Sequence, residues 1–181
     1  MGQGIAQMAA QAGSQVLLFD AATDRAVQAQ LAIATQWQKM LDKQRISTDQ
    51  HQAYLASLKT VDSLQALSAC DLVVEAVVEN TQVKQALFAQ LCEVLSGDAV
   101  LASNTSSLSI TALAAGLKRP ERFAGLHFFN PVPLMKVVEV VPGLATATAV
   151  CEKLKAYVLT MVKSVVPPLM RQWGGRINQA G

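Results

Sequence analysis

A single histidine sits among apolar residues in Gly125-Leu-His-Phe-Phe-Asn-Pro-Val-Pro133. Imidazole ordinarily titrates near ~6.5, close to working pH, which makes His127 a candidate general base and acid. A lone histidine at the end of a strand is also a common core residue. Glu139 follows twelve residues later, in Lys136-Val-Val-Glu139. On its own it reads as a solvated strand residue. Upstream, Ser103-Asn-Thr-Ser-Ser-Leu108 concentrates hydroxyl and amide groups. Such groups hydrogen-bond a polar ligand, or they close turns and cap helices.

Positioning them falls to an alternation of short apolar runs and longer amphipathic stretches. Ile5, Met8, Ala9 and Ala12 recur at helical spacing and predict a helix over Gly4 to Ala12, stopped by Gly13. Gln15 to Asp20 reads as a strand ending in an acid. Thr23 caps a long helix running to about Lys43, and a polar helical segment covers Ser47 to Ser57. Asp71 to Ala76 is a buried strand, followed by a helix over Val83 to Leu95 with Val83, Leu87, Leu91 and Val94 on one face. Past the Gly97-Asp98 turn come a strand over Ala99 to Ser103 and a short helix over Ile110 to Leu117. Strand candidates follow at Phe123 to Phe128 and Lys136 to Val141, then a helix over Thr146 to Met161. Strands alternating with helices predict an α/β fold, a doubly wound Rossmann-type parallel sheet covered on both faces. Ligands of such sheets bind at the carboxyl ends of the strands.

The first of these units carries half of a dinucleotide-binding signature. The full unit is strand, G-x-G-x-x-G, helix, strand, acid. Gly2 is read as its last glycine and Gly4 as the residue permitting close helix packing, although Gly2-x-Gly4 alone is also an ordinary helix start. Asp20 ends the strand where an acid accepts hydrogen bonds from the adenosine ribose, and a carboxylate there repels a 2′-phosphate, favouring NAD over NADP. Its plainer alternative is a helix N-cap.

Composition narrows the field. A length of 181 residues favours one domain, and 51% hydrophobic against 15% charged residues favours a packed core. Fifteen Lys and Arg against thirteen Asp and Glu, without a basic block, argue against nucleic acid as the partner. No apolar run reaches the ~18 residues of a membrane span, and the N-terminus lacks the basic region of a signal peptide. Cys70, Cys92 and Cys151 form neither a metal motif nor a disulfide framework, which fits a reducing, cytoplasmic compartment.

Taken together, Met-Gly-Gln-Gly-Ile-Ala6, Asp71-Leu-Val-Val-Glu-Ala-Val-Val-Glu-Asn80, S-N-T-S-S-L from Ser103, H-F-F-N-P-V-P from His127 and the following K-V-V-E make the sequence resemble the 3-hydroxyacyl-CoA dehydrogenases. The resemblance implies NAD as cofactor and an acyl-CoA thioester as substrate, interconverted between 3-hydroxy and 3-oxo forms in fatty-acid or aromatic-acid breakdown. It makes His127 the base, Glu139 its carboxylate partner, and Ser106 the hydroxyl that bonds the substrate oxygen. Asn130 would line the nicotinamide side, while Glu79 and Lys84 would approach the nicotinamide ribose and the cofactor–substrate junction. The spacing of five between those two is not a helix-face pairing. Lys43 matches a lysine near the CoA nucleotide. With Lys39 and Arg45 it forms either a phosphate-binding face or a solvated helix surface.

The sequence departs from that family at both ends. The family's first strand and first two glycines precede the point where this chain opens. That strand would lie at the sheet centre, between the strands of Asp20 and Asp71. Without it, unpaired buried backbone groups cost ~1–3 kcal/mol each, and the expectation is a poorly stable or rearranged chain. Residues 1–166 are read as the NAD-binding domain. Residues 167–181 are read as an unmatched tail, with Pro167-Pro168 and Trp173 exposed, where the family continues into a helical domain that forms its homodimer. Two alternatives follow: an inactive nucleotide-binding remnant, or a dehydrogenase of free hydroxy acids, which needs an acid-binding Arg or Lys near His127.

Overall fold

The computed structural model describes residues 1–162 and 164–166. The predicted tail, with Pro167-Pro168 and Trp173, lies outside the described residues. Helix α1 (Gly2–Gln11) buries Ile5, Ala6, Met8, Ala9 and Ala10. It ends where expected: Gly13 adopts a φ of 93°, and Gly13 and Ser14 donate to the Ala10 and Ala9 carbonyls, satisfying acceptors that the helix leaves open. Strand β1 (Val16–Leu18) leads to Asp20 and then to α2 (Thr23–Asp42). The N-cap of α2 is Ala22 rather than Thr23, with no side-chain cap. Helix α3 (Thr48–Ser57) starts with a reciprocal capping box between Ser47 and Gln50.

The strands form two groups. β1 pairs in parallel with β2 (Leu58–Thr60), a three-residue strand that its short, mixed sequence conceals. Five further strands run in the order β3 (Leu72–Glu75), β4 (Val100–Ser103), β5 (Phe123–Phe128), β6 (Val137–Pro142) and β7 (Ser164–Val166). Among the described residues no hydrogen-bonded strand joins the two groups. Helix α4 (Thr81–Val94) links β3 to β4, α5 (Ile110–Ala114) lies between β4 and β5, and α6 (Thr148–Leu159) links β6 to β7.

The last two strands reverse, β7 running parallel to β6. β3, β4 and β5 are mutually parallel, but β6 runs antiparallel to β5. The link between these two strands, residues 129–136, contains no helix and is shorter than the dozen residues a parallel crossover needs. The expected α/β fold with a parallel sheet is present, with the β5–β6 pairing as its antiparallel exception, and the short strand β7 was not anticipated.

The central layer is apolar on both faces. Ala102, Ala124, Leu126 and Val138 are fully buried between α1 and α6. On the other face Phe88 packs edge-on against Phe123, with ring centroids 4.9 Å apart, beside Leu91 and Leu113. Each such side chain contributes roughly 1.5–3 kcal/mol by burial. The buried stripe of α4 is Lys84, Phe88 and Leu91; of the predicted face, Leu91 is buried and Leu87 packs partly against the core, while Val83 stays 46% exposed. The stripe rotates because Phe88 fills the space over Phe123 and Lys84 finds a buried carboxylate.

Gly4 works as predicted. A Cβ there would lie 2.7 Å from Val132 Cβ, so glycine lets α1 seat against the Pro131–Pro133 loop. Gly4→Ala is expected to lower stability by about 1–3 kcal/mol, read as a lower midpoint of urea unfolding with an unchanged slope.

Candidate active site

The antiparallel pairing builds the central contact. His127 on β5 stands directly opposite Glu139 on β6, and directly opposed residues share one face of the sheet. His127 Nδ1 lies 3.0 Å from Glu139 Oε2, both side chains being about one-fifth exposed. In the neutral ring this contact places the proton on Nδ1 and leaves Nε2 as the available acceptor. Phe129 packs against the imidazole with centroids 4.5 Å apart.

His127 lines a cavity of about 340 Å³ whose other walls include Glu79, Asn104, Ser106 and Asn130. These residues follow the carboxyl ends of β3, β4 and β5, the location expected for such a sheet. Asn104 Oδ1 accepts the Phe128 N–H at 2.8 Å, fixing the end of β5. Ser106 is exposed, and its hydroxyl forms no hydrogen bond among the described residues. A second cavity of about 300 Å³ opens at the opposite ends of β4 and β5, with Ala99 and Phe123 in its lining and no histidine.

Beneath the cavity lies a residue that the sequence reading did not single out. Glu75 ends β3 with its side chain fully buried, accepting from Lys84 Nζ, the Val77 N–H and Ser103 Oγ at 2.6 Å each. Lys84 Nζ also lies 3.4 Å from Glu79 Oε2 and 3.4 Å from the Val77 carbonyl. Glu79 in turn accepts from Thr105 and from Ser107, which flank Ser106. A charged residue closing an otherwise apolar strand was the available signal, because a carboxylate is seldom buried unless paired.

The network defines the surroundings of Lys84. Its side chain is 1% exposed and its ammonium faces two carboxylates. Glu79 is on the wall. Burial pushes its carboxyl up, but the Thr105 hydrogen bond, the Lys84 ammonium and the Ser107 hydrogen bond outweigh burial and hold it below the ordinary carboxylate range. The pair forms despite the five-residue spacing because Glu79 precedes α4 instead of lying on it.

Residues 1–168 match the NAD-binding domain of 3-hydroxyacyl-CoA dehydrogenase. The chain belongs to that family. It is 47% identical to 3-hydroxyadipyl-CoA dehydrogenase of Escherichia coli K12 over 166 residues, covering 92% of this chain and 35% of that protein. It is 42% identical to 3-hydroxybutyryl-CoA dehydrogenase of Bradyrhizobium diazoefficiens, covering 91% of this chain and 56% of that one. A crystal structure of 3-hydroxybutyryl-CoA dehydrogenase from E. coli K12 superposes with a TM-score of 0.90 at 47% identity, over 92% of this chain and 35% of that one. The chain thus spans between about a third and just over half of these relatives.

NAD is the cofactor of this dehydrogenase domain, and the residues present fit it. Gly2 opens α1 against the end of β3, where an added Cβ would meet Ala76 Cβ at 3.6 Å. Met1, immediately before α1, lines the cavity, so the helix N-terminus lies at its edge, a suitable environment for a phosphate. Asp20 follows β1, and its Oδ1 accepts the Ala22 N–H at 2.9 Å. That contact is a turn ahead of α2 and not the N-cap alternative. Lys39, Lys43 and Arg45 are all exposed around the end of α2 and do not line the His127 cavity. Among the described residues no helix is long and apolar enough to cross a membrane.

Two outcomes follow from the buried network. Lys84→Met leaves Glu75 without its cation and is expected to lower unfolding stability by about 3–5 kcal/mol, measured by urea denaturation at neutral pH. Glu79, with its folded pKa depressed, stabilises the fold above the unfolded carboxylate value near ~4.3, and that contribution disappears as pH falls through the folded value. The stability gap between wild type and Glu79→Gln is therefore expected to be widest near neutrality and to close in acid, measured by urea unfolding across that range.

Proposed function

We propose that the His127 cavity is the proton-transfer half of a 3-hydroxyacyl-CoA dehydrogenase site. The observation that carries this reading is the His127–Glu139 pair at the edge of a cavity that also presents Ser106. Bound NAD would supply the hydride acceptor for alcohol oxidation and the donor for ketone reduction. His127 Nε2 takes the hydroxyl proton as the alcohol is oxidised and gives it back in reduction. Glu139 holds the ring through Nδ1 and stabilises the imidazolium that forms. Ser106 donates to the substrate oxygen beside the base. Asn130 lines the nicotinamide side, and Glu79 approaches the nicotinamide ribose. Gly2 and Asp20 hold the cofactor's pyrophosphate and adenosine ribose.

The wall favours a thioester over a free acid. Its lining includes no Lys or Arg, while Glu79 supplies a carboxylate and Phe128 and Phe129 supply apolar surface. A carboxylate substrate would find no guanidinium partner there. The exposed cations Lys39, Lys43 and Arg45 are assigned to the phosphates of a CoA nucleotide outside the cavity. A short 3-hydroxyacyl-CoA is the substrate class this arrangement suits.

The test is oxidation of NADH by acetoacetyl-CoA, followed by absorbance. Turnover is expected, with His127→Ala lowering it by about 10²–10⁴-fold and free acetoacetate reduced far less well. Absence of turnover in the wild-type chain would favour a nucleotide-binding remnant, and equal rates with the free acid would favour a hydroxy-acid dehydrogenase.

A further inference from the structure

The cluster behind the cavity has an uneven charge balance. Glu75 and Lys84 form a buried pair at 2.6 Å, one charge against the other. Glu79 supplies a second carboxylate, which neither this pair nor any other cation within salt-bridge distance among the described residues neutralises one to one. Its side chain is 38% exposed, it lines the cavity together with His127, and Thr105 and Ser107 anchor it from the next loop. The chain therefore presents one fixed negative charge to the space in front of the base. The two hydroxyl donors and Lys84 prevent that carboxylate from turning away or gaining a proton near neutrality.

The two cofactor forms differ in that same quantity. The oxidised nicotinamide ring is a cation and the reduced ring is neutral, while the remainder of the dinucleotide carries the same charge in both. Hydride transfer requires the donor carbon and the accepting ring in contact, so a ring serving an alcohol held on His127 occupies this cavity. From this we infer that Glu79 sorts the oxidation states of the cofactor, its fixed charge favouring NAD⁺ over NADH and thereby drawing the bound equilibrium toward the alcohol–NAD⁺ side. The inference rests on the dehydrogenase reading and assigns Glu79 a specificity role within it. Glu75 and Lys84 are positioning residues that hold this charge in place.

Glu79→Gln keeps the shape of the side chain and removes its charge. Glu79→Asp keeps the charge on a shorter stem. The measurement is calorimetric titration of the whole chain, wild type and both variants, with NAD⁺, NADH and ADP-ribose, the last lacking the nicotinamide. A unit charge several Å away in a partly buried site changes affinity by about tenfold. In Glu79→Gln the ratio of the NAD⁺ to the NADH dissociation constant is therefore expected to rise by about that factor. NADH and ADP-ribose should move together in this variant, and Glu79→Asp should retain most of the wild-type preference. An unchanged ratio in Glu79→Gln would overturn the inference while leaving the dehydrogenase reading standing. So would a shift shared by all three nucleotides, which points to the phosphates, or an equal shift in Glu79→Asp, which points to shape. Failure of the wild-type chain to bind any of the three would overturn both.

Discussion

The hydrogen bond between His127 Nδ1 and Glu139 Oε2 is a product of strand register. The two residues meet because β5 and β6 pair antiparallel with His127 opposite Glu139. A slip of one residue would send Glu139 to the other face of the sheet. The register is pinned from the core side, where Leu126, Val138 and Val140 are at most 1% exposed and any slip would expose them. The apolar packing of the sheet therefore specifies the geometry of a polar pair at its edge.

Glu75 plays a corresponding part at the end of β3. Three donors converge on it from β4, from α4 and from the turn after its own strand. Buried ion pairs add little net stability compared with a hydrophobic equivalent, yet breaking one is costly. Here the pair joins elements that each carry part of the cavity. β4 continues into the loop of Asn104 and Ser106, and α4 follows directly on the turn that bears Glu79. Asn104 closes the circuit by holding the backbone of Phe128 beside the imidazole. His127, Ser106 and Glu79 are thus set by one continuous hydrogen-bonded frame over an apolar layer.

Much of this was legible in the amino-acid sequence. The strands of Val73, Leu101 and Leu126 read clearly because they are continuous apolar runs bounded by turn residues. The polar helical segment from Ser47 to Ser57 matches α3, and Gly13 marked a stop. His127, Glu139 and Ser106 stood out through a long specific motif; His127 and Glu139 lie within hydrogen-bond distance, and Ser106 lines the same cavity as His127. What escaped depended on three-dimensional facts that periodicity does not carry. The direction of β6 is set by the length of a loop and not by alternation. β2 and β7 are three residues each, too short to show a pattern. Lys84 was assigned to the cofactor–substrate junction by its match to a family position, and its inward turn depends on the proximity of Glu75, nine residues earlier on another element. Thr23 looked like a cap by residue type, but the chain enters α2 one residue earlier.

The most direct test of the account is the tautomer of one ring. Nitrogen NMR of the chain labelled with ¹⁵N-histidine, with His127 assigned by comparison with His127→Ala, reports which nitrogen carries the proton in the neutral imidazole. The structure predicts protonation at Nδ1 with Nε2 bare in the wild type, and loss of that preference in Glu139→Ala. A neutral wild-type ring protonated at Nε2, or one whose tautomer ignores Glu139, would contradict the claim that this cross-strand carboxylate prepares the base.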